Sequence, residues 1–263
     1  MRVWFRLAIG LCGIACSVPV LAQGFAALVS PPRFELTAKP GETLRQVFQL
    51  SNRATATGDY LIRTADWTLG SDFGVTFLDP LQPDSCRPWV SLERPEAILQ
   101  GGATLHYRFE VAVPRDAPAG ECRFGILLEN KEPVIAAPEG IRFPIAGRIG
   151  VIVYVNIGDA APELEVLGPR IQKLNGQMTP VLRVHNAGTA HTRMAGFLTG
   201  RDASGTRYDF NPSDFPILPG EVSDVYLIPS TASNDHPTLV FPVKVTGTLE
   251  WGKQKTDLDE TFE

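Results

Sequence analysis

The side chains whose types and spacing could do chemistry are few in this sequence. His185 and His191 stand six residues apart around Asn186-Ala187-Gly188. A metal would ask for more ligands and a carboxylate at ligand spacing, so both read as surface histidines. Asp257 and Asp259 lie in an acidic C-terminal stretch, where they read as solvated charge rather than an acid–base couple. There is no phosphate-cradling glycine loop, no Gly-x-Ser-x-Gly elbow and no His-Glu-x-x-His. The expectation is therefore a protein without catalytic residues, metal or cofactor. What remains are arginines able to grip a carboxylate through two parallel hydrogen bonds, and cysteines.

The cysteines are best read through the compartment. Arg2 and Arg6 precede an apolar run from Leu7 to Leu21 that ends Val20-Leu21-Ala22 before Gln23, the pattern of a cleaved secretory signal. Residues 1–22 are thus expected to be a signal peptide, with the mature chain starting at Gln23. A lipid anchor on Cys16 is the alternative, although Gly13 fits a lipoprotein signal poorly. No later segment approaches the roughly twenty apolar residues that a membrane span needs, so no membrane insertion of the mature chain is expected. Cys12 and Cys16 leave with the signal, and the remaining Cys86 and Cys122 are expected to form one disulfide in an oxidising compartment. Cleavage removes two arginines and no acid, taking the formal charge from −5 to −7. That balance argues against a nucleic-acid partner.

The elements that must position these residues read as strands throughout. Leu105, Tyr107, Phe109, Val111 and Val113 alternate with polar or small residues, as do Cys122, Phe124, Ile126 and Leu128. Turn signals recur between such runs, including Lys39-Pro40-Gly41-Glu42 and Asn175-Gly176, and no helical period appears. Seven or eight short strands at this spacing describe an immunoglobulin-like sandwich. Gly158-Asp159-Ala160-Ala161-Pro162 breaks the pattern, after which a second all-β half begins. The fold class is therefore all-β, with two immunoglobulin-like sandwiches in series, one over residues 23–157 and one over 158–263. The tail from Asp257 onward is expected to be poorly packed.

The longest strand signal, residues 141–157, organises the first half. Phe143, Ile145, Ile149, Val151, Val153, Val155 and Ile157 share one face, interrupted by Gly147, and Pro144 marks the N-terminal portion as an edge. A strand of about seventeen residues exceeds what one sandwich needs and invites another chain to pair with it.

The order of these features carries a resemblance. A proline-broken first strand holding Arg33, then Pro40-Gly41-Glu42, Trp89-Val90-Ser91-Leu92, Val113-Pro114-Arg115-Asp116, the strand from Phe124 to Glu129, and Arg148 to Tyr154 together resemble the PapD-like periplasmic chaperones of the chaperone–usher pathway. The likeness is strongest over residues 25–157 and looser afterwards, where Ile217-Leu218-Pro219-Gly220-Glu221 matches a loop of the second domain. The resemblance implies a periplasmic chaperone that caps pilus or fimbrial subunits by lending them a strand and delivers them to an outer-membrane usher. It implies Phe143, Ile145 and Ile149 as donor-strand side chains, and Arg33 as one anchor of the subunit's terminal carboxylate. The family usually has a lysine for the second anchor; Val151 or Ile152 stands there, and Arg148 is the nearest basic residue. A structural or adhesive envelope module is the other reading, since fold does not fix function.

Overall fold

A computed structural model describes residues 25–263 except 71–72, 132–133, 137–142, 146 and 232–236, and gives the backbone alone for 134–136 and 143–145. The expected signal peptide lies outside the described residues.

The first half comprises β1 (Ala27–Ser30), β2 (Arg33–Ala38), β3 (Thr43–Asn52), β4 (Gly58–Leu69), β5 (Val75–Leu78), β6 (Val90–Leu92), β7 (Glu96–Leu99), β8 (Thr104–Ala112), β9 (Gly120–Asn130), β10 (Val134–Ala136), β11 (Phe143–Ile145) and β12 (Arg148–Ile157). One layer has the order β1-β3-β8-β6, and the other the order β2-β12-β9-β4-β5 with β7 also on β4. The first strand signal is divided at Pro31-Pro32: β1 joins the first layer on β3, and β2 joins the second in parallel with β12. Prolines cannot donate to a ladder, so the switch falls where pairing would be lost in any case. Between the layers, Phe48, Tyr107, Phe109, Phe124, Val153 and Val155 form the buried core.

The second half contains β13 (Leu164–Leu174), β14 (Gln177–Asn186), β15 (Ala195–Arg201), β16 (Arg207–Pro212), β17 (Val222–Ser230), β18 (Val243–Trp251) and β19 (Gln254–Phe262). Its strands follow β13-β14-β17-β16-β15-β18-β19. Strand β17 changes layer along its length, pairing β14 through Tyr226 and β16 from Leu227. Phe210, Leu227, Val245, Leu249 and Phe262 fill a separate core. Asn175 and Gly176 join β13 to β14 with φ of 48° and 88°, the left-handed pair that a two-residue hairpin demands.

Two expectations need correction. The tail is not loosely packed: β19 pairs with β18 along its whole length, and Leu258 and Phe262 enter the core while Asp257 and Asp259 face out. Period-two alternation outweighs the stretch's acidity. Nor do residues 141–157 form one strand. β12 starts at Arg148, whereas β11 pairs with β10 in a separate two-stranded ribbon. Gly147 intervenes with the Phe25 ring against it, so close that a Cβ there would fall 1.9 Å from Phe25 Cγ. Among the described residues of the sandwich, nothing pairs with β11 except β10.

Candidate functional site

The outward face of the layer containing β12 meets the second sandwich. Val151, Val153, Val155 and Ile157 point into the core, so Arg148, Gly150, Ile152, Tyr154 and Asn156 share the opposite face. The parallel neighbour β2 sets Arg33 opposite Ile152 and Glu35 opposite Tyr154, and β9 sets Gly125 and Arg123 on their other side. Phe77 lies across Gly125 and Gly150, where a Cβ would fall 2.8 and 2.3 Å from its ring. Any side chain there would lift this cover. Trp67, Tyr154 and Leu218 are buried together, which places the Leu218 loop of the second sandwich on the first. Tyr154 meets Trp67 edge-on at 5.5 Å, and the Arg123 guanidinium stands 5.3 Å over Trp67. Phe73 stacks on Phe215 at 3.8 Å, a second apolar contact between the sandwiches.

Polar groups complete the junction. His191 stacks on Tyr154 at 3.6 Å, and its Nδ1 is 2.5 Å from Glu121 Oε2, to which its backbone N–H also donates. The Glu121 side chain is fully buried, and its Oε1 has no hydrogen-bond partner. The expectation of a surface histidine at 191 is therefore wrong, because the turn at 186–188 folds the imidazole inward onto the first sandwich. His185 is the partly exposed one, 3.9 Å from Glu165. Arg193 Nη1 donates to Glu35 Oε1 at 2.8 Å, and Arg33 Nε lies 3.0 Å from the same oxygen. Burial pushes the Tyr154 phenol up to about 12, with the nearby Arg193 charge opposing that rise.

The sequence-derived candidates fall in separate places. Cys86 and Cys122 form a disulfide with a Cα–Cα distance of 5.5 Å, and both are buried. Arg33 reaches the cleft from the start of β2. Arg148 shares its face but sits four residues before Ile152, Arg33's partner, which is about 13 Å along a strand. Its Nε is 2.5 Å from Glu129 Oε1, and Glu129 is also held by Arg63 at 3.0 Å. These contacts, with burial opposing them, keep the Glu129 carboxyl below its usual range. The two candidate anchors are thus not brought together. Ile149 is partly buried against the first core, and Phe143 and Ile145 belong to β11, whose backbone alone is described.

β12 is paired unequally. β9 pairs with all of it, but β2 pairs only with 152–157, and no described strand pairs with 148–151 on that side. Ile152 N–H donates to Pro32 O, so alternation turns the backbone groups of Gly150 and Arg148 toward this same open edge. Sequence reasoning missed Arg193, Glu121 and Glu35. The first lies two residues past a histidine in an apparent loop, and no local pattern marks a contact between sandwiches. Among the described residues there is no group of three or more metal-ligating side chains, and no helix is long and apolar enough to cross a membrane.

No protein-family model matches the sequence, and no curated protein matches it significantly. Similar solved structures include the Class 5 fimbriae chaperone CfaA, at 11% identity over 90% of this chain and 99% of that one, with TM-score 0.47. The CupB2 chaperone of Pseudomonas aeruginosa is 9% identical over 90% and 100%, with TM-score 0.47. The CsuC–CsuE chaperone–tip adhesion subunit complex of Acinetobacter baumannii is matched at 14% identity over 90% and 99%, with TM-score 0.46.

Proposed function

We propose that the protein is a periplasmic chaperone of the chaperone–usher pathway, which caps pilus or fimbrial subunits by donor-strand complementation and passes them to an outer-membrane usher. Residues 23–157 form the subunit-binding unit in this reading, and 158–263 the supporting one. The observation that carries it is the open edge of β12. A strand held firmly by β9 turns the backbone groups of Arg148 and Gly150 to a side where no described strand pairs with them, and among the described residues the preceding β11 pairs with β10 and with neither layer of the sandwich. An open strand edge next to apolar side chains is a template for a missing strand. Phe143 and Ile145 enter the subunit's groove, and Ile149 sits at the rim where the chaperone's own core begins. Arg33 receives the subunit's terminal carboxylate. Arg148 steers it from the outer end of the same face, at the cost of its contact with Glu129.

Co-expression with an aggregation-prone pilus subunit that lacks its final strand tests this. The wild-type protein is expected to keep the subunit soluble and to copurify with it, and Arg33→Ala to lose most of that yield while folding normally. A subunit that aggregates equally with and without the wild-type protein contradicts the chaperone reading.

A further inference from the structure

We propose that Arg33 and Arg193 form one carboxylate clamp spanning the two sandwiches, held closed by Glu35 as an internal occupant that the terminal carboxylate of a bound chain displaces. This rests on the reading of Arg33 as an anchor. Three groups converge on a single oxygen, Glu35 Oε1: Arg193 Nη1 at 2.8 Å, Arg33 Nε at 3.0 Å and His191 Nε2 at 3.6 Å. The same oxygen is thus shared by all three groups. A guanidinium binds a carboxylate best through two parallel hydrogen bonds, and Glu35, tethered two residues from Arg33 on the same strand face, meets both arginines through this one shared oxygen. A free terminal carboxylate has no such tether and can present both oxygens.

The site is open on one side and built on the other. Arg33 and Glu35 keep 44% and 47% of their side chains exposed, whereas Arg193 keeps 15% and lies 6.0 Å over the Tyr154 ring. Arg193 Nε has no hydrogen bond, its nearest acid being Asp214 at 3.5 Å. A half-exposed ion pair is cheap to exchange for another. Other contacts join the sandwiches without Glu35, among them the Glu121–His191 pair, the Trp67–Tyr154–Leu218 cluster and the Phe73–Phe215 stack. The junction thus keeps its apolar and buried polar contacts when Glu35 lets go, and Glu35 is placed to compete with a ligand. Arg148, engaged by Glu129 farther along β12, is not a member of the clamp.

The test uses the full-length protein and an N-acetylated, strand-forming peptide of alternating valine and threonine, prepared with a free C-terminal carboxylate and as the amide. Calorimetric titration is expected to show the wild-type protein preferring the carboxylate. Glu35→Gln should tighten binding of the carboxylate peptide about fivefold and leave the amide unchanged. Arg33→Gln and Arg193→Gln should each erase the preference. Unchanged or weaker carboxylate binding in Glu35→Gln, or a full preference in Arg193→Gln, overturns the clamp. If either occurs while Arg33→Gln still erases the preference, the anchor reading stands without the displacement. If the wild-type protein binds neither peptide or shows no preference, both fall.

Discussion

The two ends of β12 carry the same apolar alternation on their inward face and have different surroundings. From Ile152 to Ile157 the strand is hydrogen-bonded on both sides, by β2 and β9, and each inward side chain is buried. From Arg148 to Val151 β9 is the one strand that pairs with it among the described residues, and Ile149 is just partly buried. The apolar alternation continues outward unchanged while the protein's capacity to use it does not. A pattern that outlasts its own sheet has either no purpose or a purpose on another chain, and the contrast between the two ends is where that question can be decided.

The largest expected effect comes from burying a charge at the clamped end. Val155→Asp places a carboxylate where both ladders and the core enclose it, and should cost more than about 4 kcal/mol, enough to threaten folding. Ile149→Asp, six residues outward on the same face, should cost about 1 to 3 kcal/mol, because its carboxylate can reach water at the open edge. Urea unfolding of both variants measures the difference, and equal losses would erase the distinction between the ends.

The disulfide belongs to the clamped end too, since Cys122 is paired with Val155 across the β9–β12 ladder. Its partners are 36 residues apart, so replacing both by alanine should lower stability by about 3 to 4 kcal/mol in the chain-entropy account. Free-thiol labelling of the native oxidised protein should find neither cysteine.

A smaller effect distinguishes the ends by pH. Tyr154 has its phenol pushed up to about 12 by burial, above the unfolded value of about 10. The native state holds the proton more tightly, so this contribution is complete below pH 10 and is lost as pH rises toward 12, up to roughly 2 to 3 kcal/mol. Tyr154→Phe should show a shallower stability loss over that window than the wild-type protein. Identical slopes would mean that this phenol does not titrate in the folded state as its burial requires.

The sequence made the strands legible because alternation reports a face, and it made the disulfide legible because two cysteines leave one pairing. Asn175-Gly176 was legible as a hairpin because few residues tolerate its two left-handed positions. The junction was not. His191, Glu121 and Arg193 acquire their roles from a contact between residues 70 apart, and nothing local to His191 distinguishes a solvated imidazole from one stacked on Tyr154. The break at Gly147 was also hidden, since the Phe25 ring that lies against it comes from the opposite end of the first half's sequence. The tail misled because its acids alternate with residues that point inward, and charge was weighed above period.

The central claim is that the outer part of this strand system serves another chain, and the most direct measurement is thermal unfolding of the Phe143→Ser, Ile145→Ser double variant without any partner, paired with a pull-down of a strand-deficient pilus subunit. The account predicts a melting temperature equal to the wild-type value and loss of the complex, because those side chains then contribute about 1.5 to 3 kcal/mol each only when a subunit buries them. A large drop in the melting temperature of the free variant would contradict it, showing that Phe143 and Ile145 belong to the protein's own core.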